Sequence, residues 1–232
     1  MVAVIGDIHG CLNTLRNLVE KIKSKYPSIN IYSVGDLVDR GNYSFEVLEF
    51  IKSGKIKFTP GNHDYMMYYF IKHPSDEIGK PWPHNGYETT LVSYNEHFDK
   101  LNEHLELIIN QPLFYNLEDC FISHAGISKY MKEQLPQNFL DNLIDAEHII
   151  RTNINREEGI IWTRDVLLNV GNLQVVGHSI KKEVTYVQKS NAVYIDTGVY
   201  LGNKLSAVIV ERSKIISKLE EPTHKDDIRK KY

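Results

Sequence analysis

GDIHG at residues 6–10, GDLVDRG at 35–41 and GNHD at 61–64 each close a short β-branched run, and reading these three stretches decides the fold. The runs Val2 to Ile5, Ile29 to Val34 and Ile56 to Thr59 alternate with segments of helical period. Leu12, Leu15, Leu18, Val19 and Ile22 form one apolar stripe, and Phe45, Val47, Leu48 and Ile51 a looser one. The pattern is that of a βαβαβ unit in an α/β protein. Parallel strands joined by helices bring their carboxyl ends to one edge, and the crevice outside that edge is where open α/β sheets bind ligands. All three motifs fall there.

Two further strings, SHAG at 123–126 and GHS at 177–179, follow apolar segments later in the chain. Strands are expected at Leu113 to Leu117, Cys120 to Ser123, Leu173 to Val176, Val184 to Gln188, Val193 to Ile195 and Leu205 to Val210. Their late, hairpin-like spacing predicts a second, mixed sheet packed on the first. Between the two sets, Tyr65 to Asn110 is helical in pattern and rich in aromatics, broken by His73-Pro74 and by the turn-like run Lys80 to Gly86. This predicts a helical cap inserted at 65–110 of a single domain spanning 1–219. Residues 220–232 are mostly charged and contain Pro222, which predicts a frayed tail.

The 232 residues are 42% hydrophobic and 25% charged, enough for one sizeable core. With 27 Lys and Arg against 30 Asp and Glu, the net charge of -3 offers no basic excess for stable nucleic-acid binding. Cys11 and Cys120 have neither metal-finger nor redox spacing. There is no apolar run of membrane-spanning length, and Met1 to Ile5 is too short for a signal segment. A cytoplasmic location, away from membranes, is the expectation.

The five strings hold hard oxygen and imidazole donors beside glycines, the composition of a site for two divalent cations. Asp7 and His9 stand at i and i+2, so in extended geometry both would face one ion. Asp36 is the natural bridge, since a carboxylate can ligate two cations at once. Asn62, His124 and His178 remain for the second ion. Six ligands over two ions leave positions for water, as a catalytic site requires. Taken singly, Asp7, Asp36 and Asn62 read as turn or cap residues. His124 and His178 each end an apolar strand before a small residue and are harder to dismiss. His73, His84, His97, His104, His148 and His224 lack such settings and read as surface or core residues.

With all five motifs present and in order, the chain resembles the phosphoprotein phosphatase family of calcineurin-like metallophosphoesterases, especially its short bacterial and phage members. The resemblance runs from Val2 to about Val210. It implies an αββα sandwich of two mixed β-sheets flanked by helices. It also implies two divalent metal ions, Mn2+ or else Fe or Zn, with Asp7, His9 and Asp36 on one and Asp36, Asn62, His124 and His178 on the other. Two details narrow the branch. Ile180 stands where the nuclease-like and purple-acid branches carry a second histidine, and Asp39-Arg40-Gly41 is a mark of the phosphoprotein phosphatases. YIDTG at 194–198 and HNGYETT at 84–90 also resemble bacterial members, without assigned chemistry. Many relatives read GNHE where this chain has Asp64, a shorter acid to orient the loop.

The implied chemistry is attack on phosphorus by a hydroxide shared between two cations. Arg40 offers a planar bidentate donor to the phosphoryl oxygens. Arg164, in the string Trp162-Thr163-Arg164, is a second candidate clamp, against a bland reading as a surface arginine at a helix start. His63, next to Asn62, is placed to protonate the leaving group, with Asp39 to orient and stabilise its imidazolium; alternatively Asp39 only pairs with an arginine. The first substrate expectation is phosphoserine or phosphothreonine in a protein, or a small phosphoester. The alternative is symmetrical hydrolysis of diadenosine tetraphosphate or a related capped nucleotide. A binding protein that has lost turnover is the weakest reading, because none of the ligands is missing.

Overall fold

The computed structural model describes residues 1–136 and 139–228. Strand β1 (Val2–Ile5) leads into α1 (Leu12–Lys25), β2 (Asn30–Ser33), α2 (Ser44–Ser53) and β3 (Lys57–Phe58), with β1, β2 and β3 parallel as expected. Three helices follow, α3 (Asn62–Lys72), α4 (Glu88–Ser93) and α5 (Leu101–Ile109). Then come β4 (Phe114–Asn116), β5 (Phe121–Ser123), α6 (Leu143–Thr152), β6 (Gln174–Val176), β7 (Thr185–Val187), β8 (Ala192–Tyr194), β9 (Lys204–Glu211) and β10 (Lys214–Pro222).

Two mixed five-stranded sheets result, ordered β10-β9-β1-β2-β3 and β4-β5-β6-β8-β7. Alternation along β1 makes the sandwich: Val2 and Val4 face one way, packing with Ile122, Val175, Val193 and Val208 from both sheets. Ala3 and Ile5 face the other way, against Leu15, Leu18 and Ile22 of α1 and Val47 and Leu48 of α2. The outer face of the second sheet, with Phe114 and Phe121, is covered by Ala146 and Ile150 of α6. The αββα expectation holds.

Two expectations need correction. The segment Leu205 to Val210 does not join the second sheet. It lies antiparallel to β1, with Val2 opposite Val210, and so extends the first sheet. Spacing alone could not reveal this, because a strand late in sequence can pair with any free edge. The stretch from Glu220 to Ile228 is also not frayed. β10 runs to Pro222 as an edge strand, and its Lys and Glu side chains, which made it read as a tail, are what protect a sheet edge from pairing with another chain. Beyond it, the fully buried Asp227 accepts hydrogen bonds from the backbone N–H groups of Asn13 and Thr14 at 2.9 and 2.8 Å, capping α1, which has no side-chain cap of its own. The rest of the expected tail, 229–232, lies outside the described residues.

Tyr65, Trp82 and Tyr94 are almost completely buried and belong to the packed interior. No helix among the described residues is long and apolar enough to cross a membrane.

Candidate metal centre

β1 ends at Ile5, so Asp7 and His9 stand in a turn rather than an extended strand, and His9 has φ of 45°. Asp36 (48°), Asp39 (70°), Arg40 (71°) and His178 (60°) also hold left-handed backbone. Five of the nine non-glycine residues with positive φ among the described residues therefore cluster here, a concentration of strain that marks functional sites. Two glycines allow the close approach. A Cβ at Gly177 would lie 1.8 Å from Oδ1 of Asp7, and one at Gly61 would lie 2.1 Å from Oδ1 of Asp36.

Asp36 sits at the centre. Its Oδ2 is 3.5 Å from Nε2 of His9, and its Oδ1 is 3.5 Å from Nε2 of His124. Asn62 Oδ1 lies 3.0 Å from His124 Nε2 and 2.9 Å from His178 Nδ1. The backbone N–H of His178 donates to Asp7. All six expected ligands thus converge. Two groups of donor atoms are each compact enough to share an ion, within 4.8 Å of one another: Asp7, Asp36 and His124, and His9, Asp36 and His63. Asp36 belongs to both groups. Asp7 and His9 each share a group with Asp36, and His63 stands near enough to His9 and Asp36 to join one.

The donor set fits divalent cations in its chemistry as well as its spacing. Each of the three expected imidazole ligands turns one ring nitrogen to a backbone carbonyl: His9 Nδ1 to Val38, His124 Nδ1 to Val34 and His178 Nε2 to Trp162, at 3.0, 2.8 and 2.9 Å. With the proton fixed there, the other nitrogen presents its lone pair inward, the arrangement that orients metal-binding histidines. Burial holds all three imidazoles below the ordinary histidine range, His178 down to about 3. Burial, with the neighbouring charges of Asp196 and Asp36, pushes Asp7 well up. Burial would raise Asp36 too, but the surrounding histidines, His124 foremost, hold it below the usual carboxylate range. Buried carboxyl groups clustered with inward-facing imidazole nitrogens suit a cation.

Around this centre lies a cavity of about 530 Å³ whose walls include Arg40, His63 and Arg164. His63 Nδ1 is 2.7 Å from Asp39 Oδ2, and its Nε2 is 3.0 Å from an Arg40 NH2 group that donates to it. The Arg40 guanidinium also lies 4.3 Å from the centre of the Tyr200 ring. Arg164 donates to the carbonyl of His178 at 3.3 Å. Asp64, despite being the shorter acid, does orient the loop: it accepts from the N–H groups of Leu37 and Gly61 at 2.9 and 2.8 Å.

Several neighbours escaped the sequence reading. Trp82 Nε1 donates to both oxygens of Asp39, at 3.1 and 2.9 Å, and Thr90 donates to one at 2.7 Å. The carbonyl of Gly86 accepts from the Arg40 N–H. The HNGYETT stretch is therefore the brace of the Asp39-Arg40 turn, and Asp196 of YIDTG lines the cavity. Both stretches stood out as strings, but only folding shows what they touch. Trp82→Phe keeps the ring and removes the N–H. It is expected to destabilise the fold by about 1.5 to 3 kcal/mol, the range for a buried hydrogen bond to a charged group, measured by denaturant unfolding. Turnover should fall while metal content stays unchanged, because Trp82 reaches the site only through Asp39.

A family model described as calcineurin-like phosphoesterase matches residues 1–207. The chain is 28% identical over 244 residues to the asymmetrical bis(5'-nucleosyl)-tetraphosphatase PrpE of Bacillus cereus, covering 92% of each chain. It is 27% identical to that of Anoxybacillus flavithermus, with the same coverage. Among solved structures, a putative diadenosine tetraphosphatase superposes with a TM-score of 0.64 at 20% identity, covering 97% of this chain and 94% of that one. A cold-active protein-tyrosine phosphatase of a psychrophilic Shewanella gives the same score at 17% identity, covering 96% and 80%. At such identities these two structures establish the shared fold alone.

Proposed function

The chain belongs to the calcineurin-like phosphoesterase family, and from that premise we propose that it hydrolyses dinucleoside tetraphosphates asymmetrically, using two divalent ions, preferably Mn2+. The observation that carries the hydrolytic part is the position of Asp36, common to two donor groups at the floor of a cavity walled by arginines. The substrate rests on relatives that align along nearly their whole length and whose names specify that reaction. This reverses the order expected from sequence, in which a serine/threonine phosphatase came first. It also changes the expected cleavage from symmetrical to asymmetrical.

We assign Asp7, His9, Asp36, Asn62, His124 and His178 as the metal-holding residues. When bound, the ions supply Lewis-acid activation of water near neutral pH and charge neutralisation at the phosphoryl group. The protein's own groups do the rest. Arg40 spends one N–H on His63, and its remaining donors are directed to equatorial phosphoryl oxygens, with Arg164 as the second clamp. His63 serves the leaving oxygen. Its Nδ1–H is tied to Asp39, whose carboxylate Trp82 and Thr90 hold in place, so the ring keeps one orientation.

The test is a product analysis with Mn2+-loaded protein. Diadenosine tetraphosphate should yield ATP and AMP in equal amounts by ion-exchange chromatography. Two equivalents of ADP would mean symmetrical cleavage. Rapid phosphate release from a phosphopeptide, with the dinucleotide untouched, would restore the protein phosphatase reading.

A further inference from the structure

A second cavity, of about 450 Å³, adjoins the metal cavity, and Pro81, Trp162 and Arg164 line both. We infer that this cavity is the binding site for one nucleoside of the dinucleoside polyphosphate, an inference that rests on the substrate proposed above. The shared wall carries it first. A molecule with a phosphate at the metal ions and a group of nucleoside size attached can lie across Pro81, Trp162 and Arg164 without leaving the two spaces. The volume is in the range of small-molecule sites.

Lining chemistry decides which part of the substrate belongs there. Beyond the shared Arg164, the cavity has one cation, Arg156, against three carboxylates, Glu77, Glu157 and Asp165. That balance repels a polyphosphate chain. It suits groups that donate hydrogen bonds, such as the exocyclic amine of adenine and the hydroxyls of ribose. Buried Ile78, with Pro81 and the half-buried Trp162, gives the apolar and aromatic surface on which a base can rest. The phosphates therefore stay with Arg40, Arg164 and the metal ligands, and the nucleoside occupies the acidic neighbour. The buried aromatics Tyr65, Trp82 and Tyr94 take no part in stacking.

Asn155 lines this cavity only and is exposed, so it can be enlarged without disturbing the core or the metal ligands. In the Mn2+-loaded protein, Asn155→Trp should raise KM for diadenosine tetraphosphate on the order of tenfold, the loss expected when a stacked base is displaced. The same variant should leave kcat for the dinucleotide, and both constants for p-nitrophenyl phosphate, at their original values. Asn155→Ala should change neither substrate and checks that the bulk, rather than the lost amide, is responsible. An unchanged KM for the dinucleotide in Asn155→Trp would overturn the inference while leaving the proposed function intact. So would a KM increase seen for a phosphopeptide instead, which would give the cavity to flanking peptide. A wild-type protein that cleaves p-nitrophenyl phosphate but not the dinucleotide would remove the substrate reading and this inference together.

Discussion

Replacing Asp36 by Asn is expected to abolish both metal occupancy and turnover, the largest loss of any single substitution in the site. Asn fits the same space, tolerates the left-handed backbone at φ 48° and still offers an oxygen to the N–H of His63, so the fold should survive. What goes is one negative charge from the residue common to both donor groups. Metal content measured by atomic emission should fall for both ions together. Activity should drop by more than about a thousandfold, since losing even one preorganised electrostatic donor costs about a hundred- to a thousandfold. A variant that retains two ions and its full rate would end the bridging assignment.

His63→Asn should have the second largest effect and one that depends on the leaving group. If His63 supplies a proton, hydrolysis of alkyl phosphomonoesters should slow by about a hundred- to ten-thousandfold. p-Nitrophenyl phosphate and diadenosine tetraphosphate should suffer much less, because a phenoxide and a nucleotide phosphate leave with little protonation. Both ions should remain. His63 nevertheless falls in one compact donor group with His9 and Asp36. Metal content is thus the deciding readout: loss of an ion from His63→Asn would make it a ligand and transfer the proton-donor role to another group. Uniform rate losses across all three substrates would also count against proton donation.

The candidate ligands stood out in the sequence because each stands in a short motif at a strand end, where period and glycine placement announce the turn. Asp7, His9, Asp36, Asn62, His124 and His178 all reach one centre. The backbone around the donors was not legible. Asp7 and His9 were expected in extended geometry, but β1 stops at Ile5 and His9 takes left-handed backbone. The braces were hidden for a different reason. Trp82 and Thr90 are 43 and 51 residues from the Asp39 they support, and no local period records such a contact.

By itself, then, the sequence determined the α/β class, the apolar strand runs that feed the sandwich, and a set of candidate metal-binding side chains. These follow from local backbone preferences and from the chemistry of individual residues. Tertiary structure alone decided that β9 joins β1, that Asp227 caps α1 across more than two hundred residues, and that a second cavity adjoins the candidate metal centre. Each of these depends on which surfaces meet once the chain has closed, and two segments distant in sequence carry no mark of one another until their apolar faces and unpaired backbone groups are buried together.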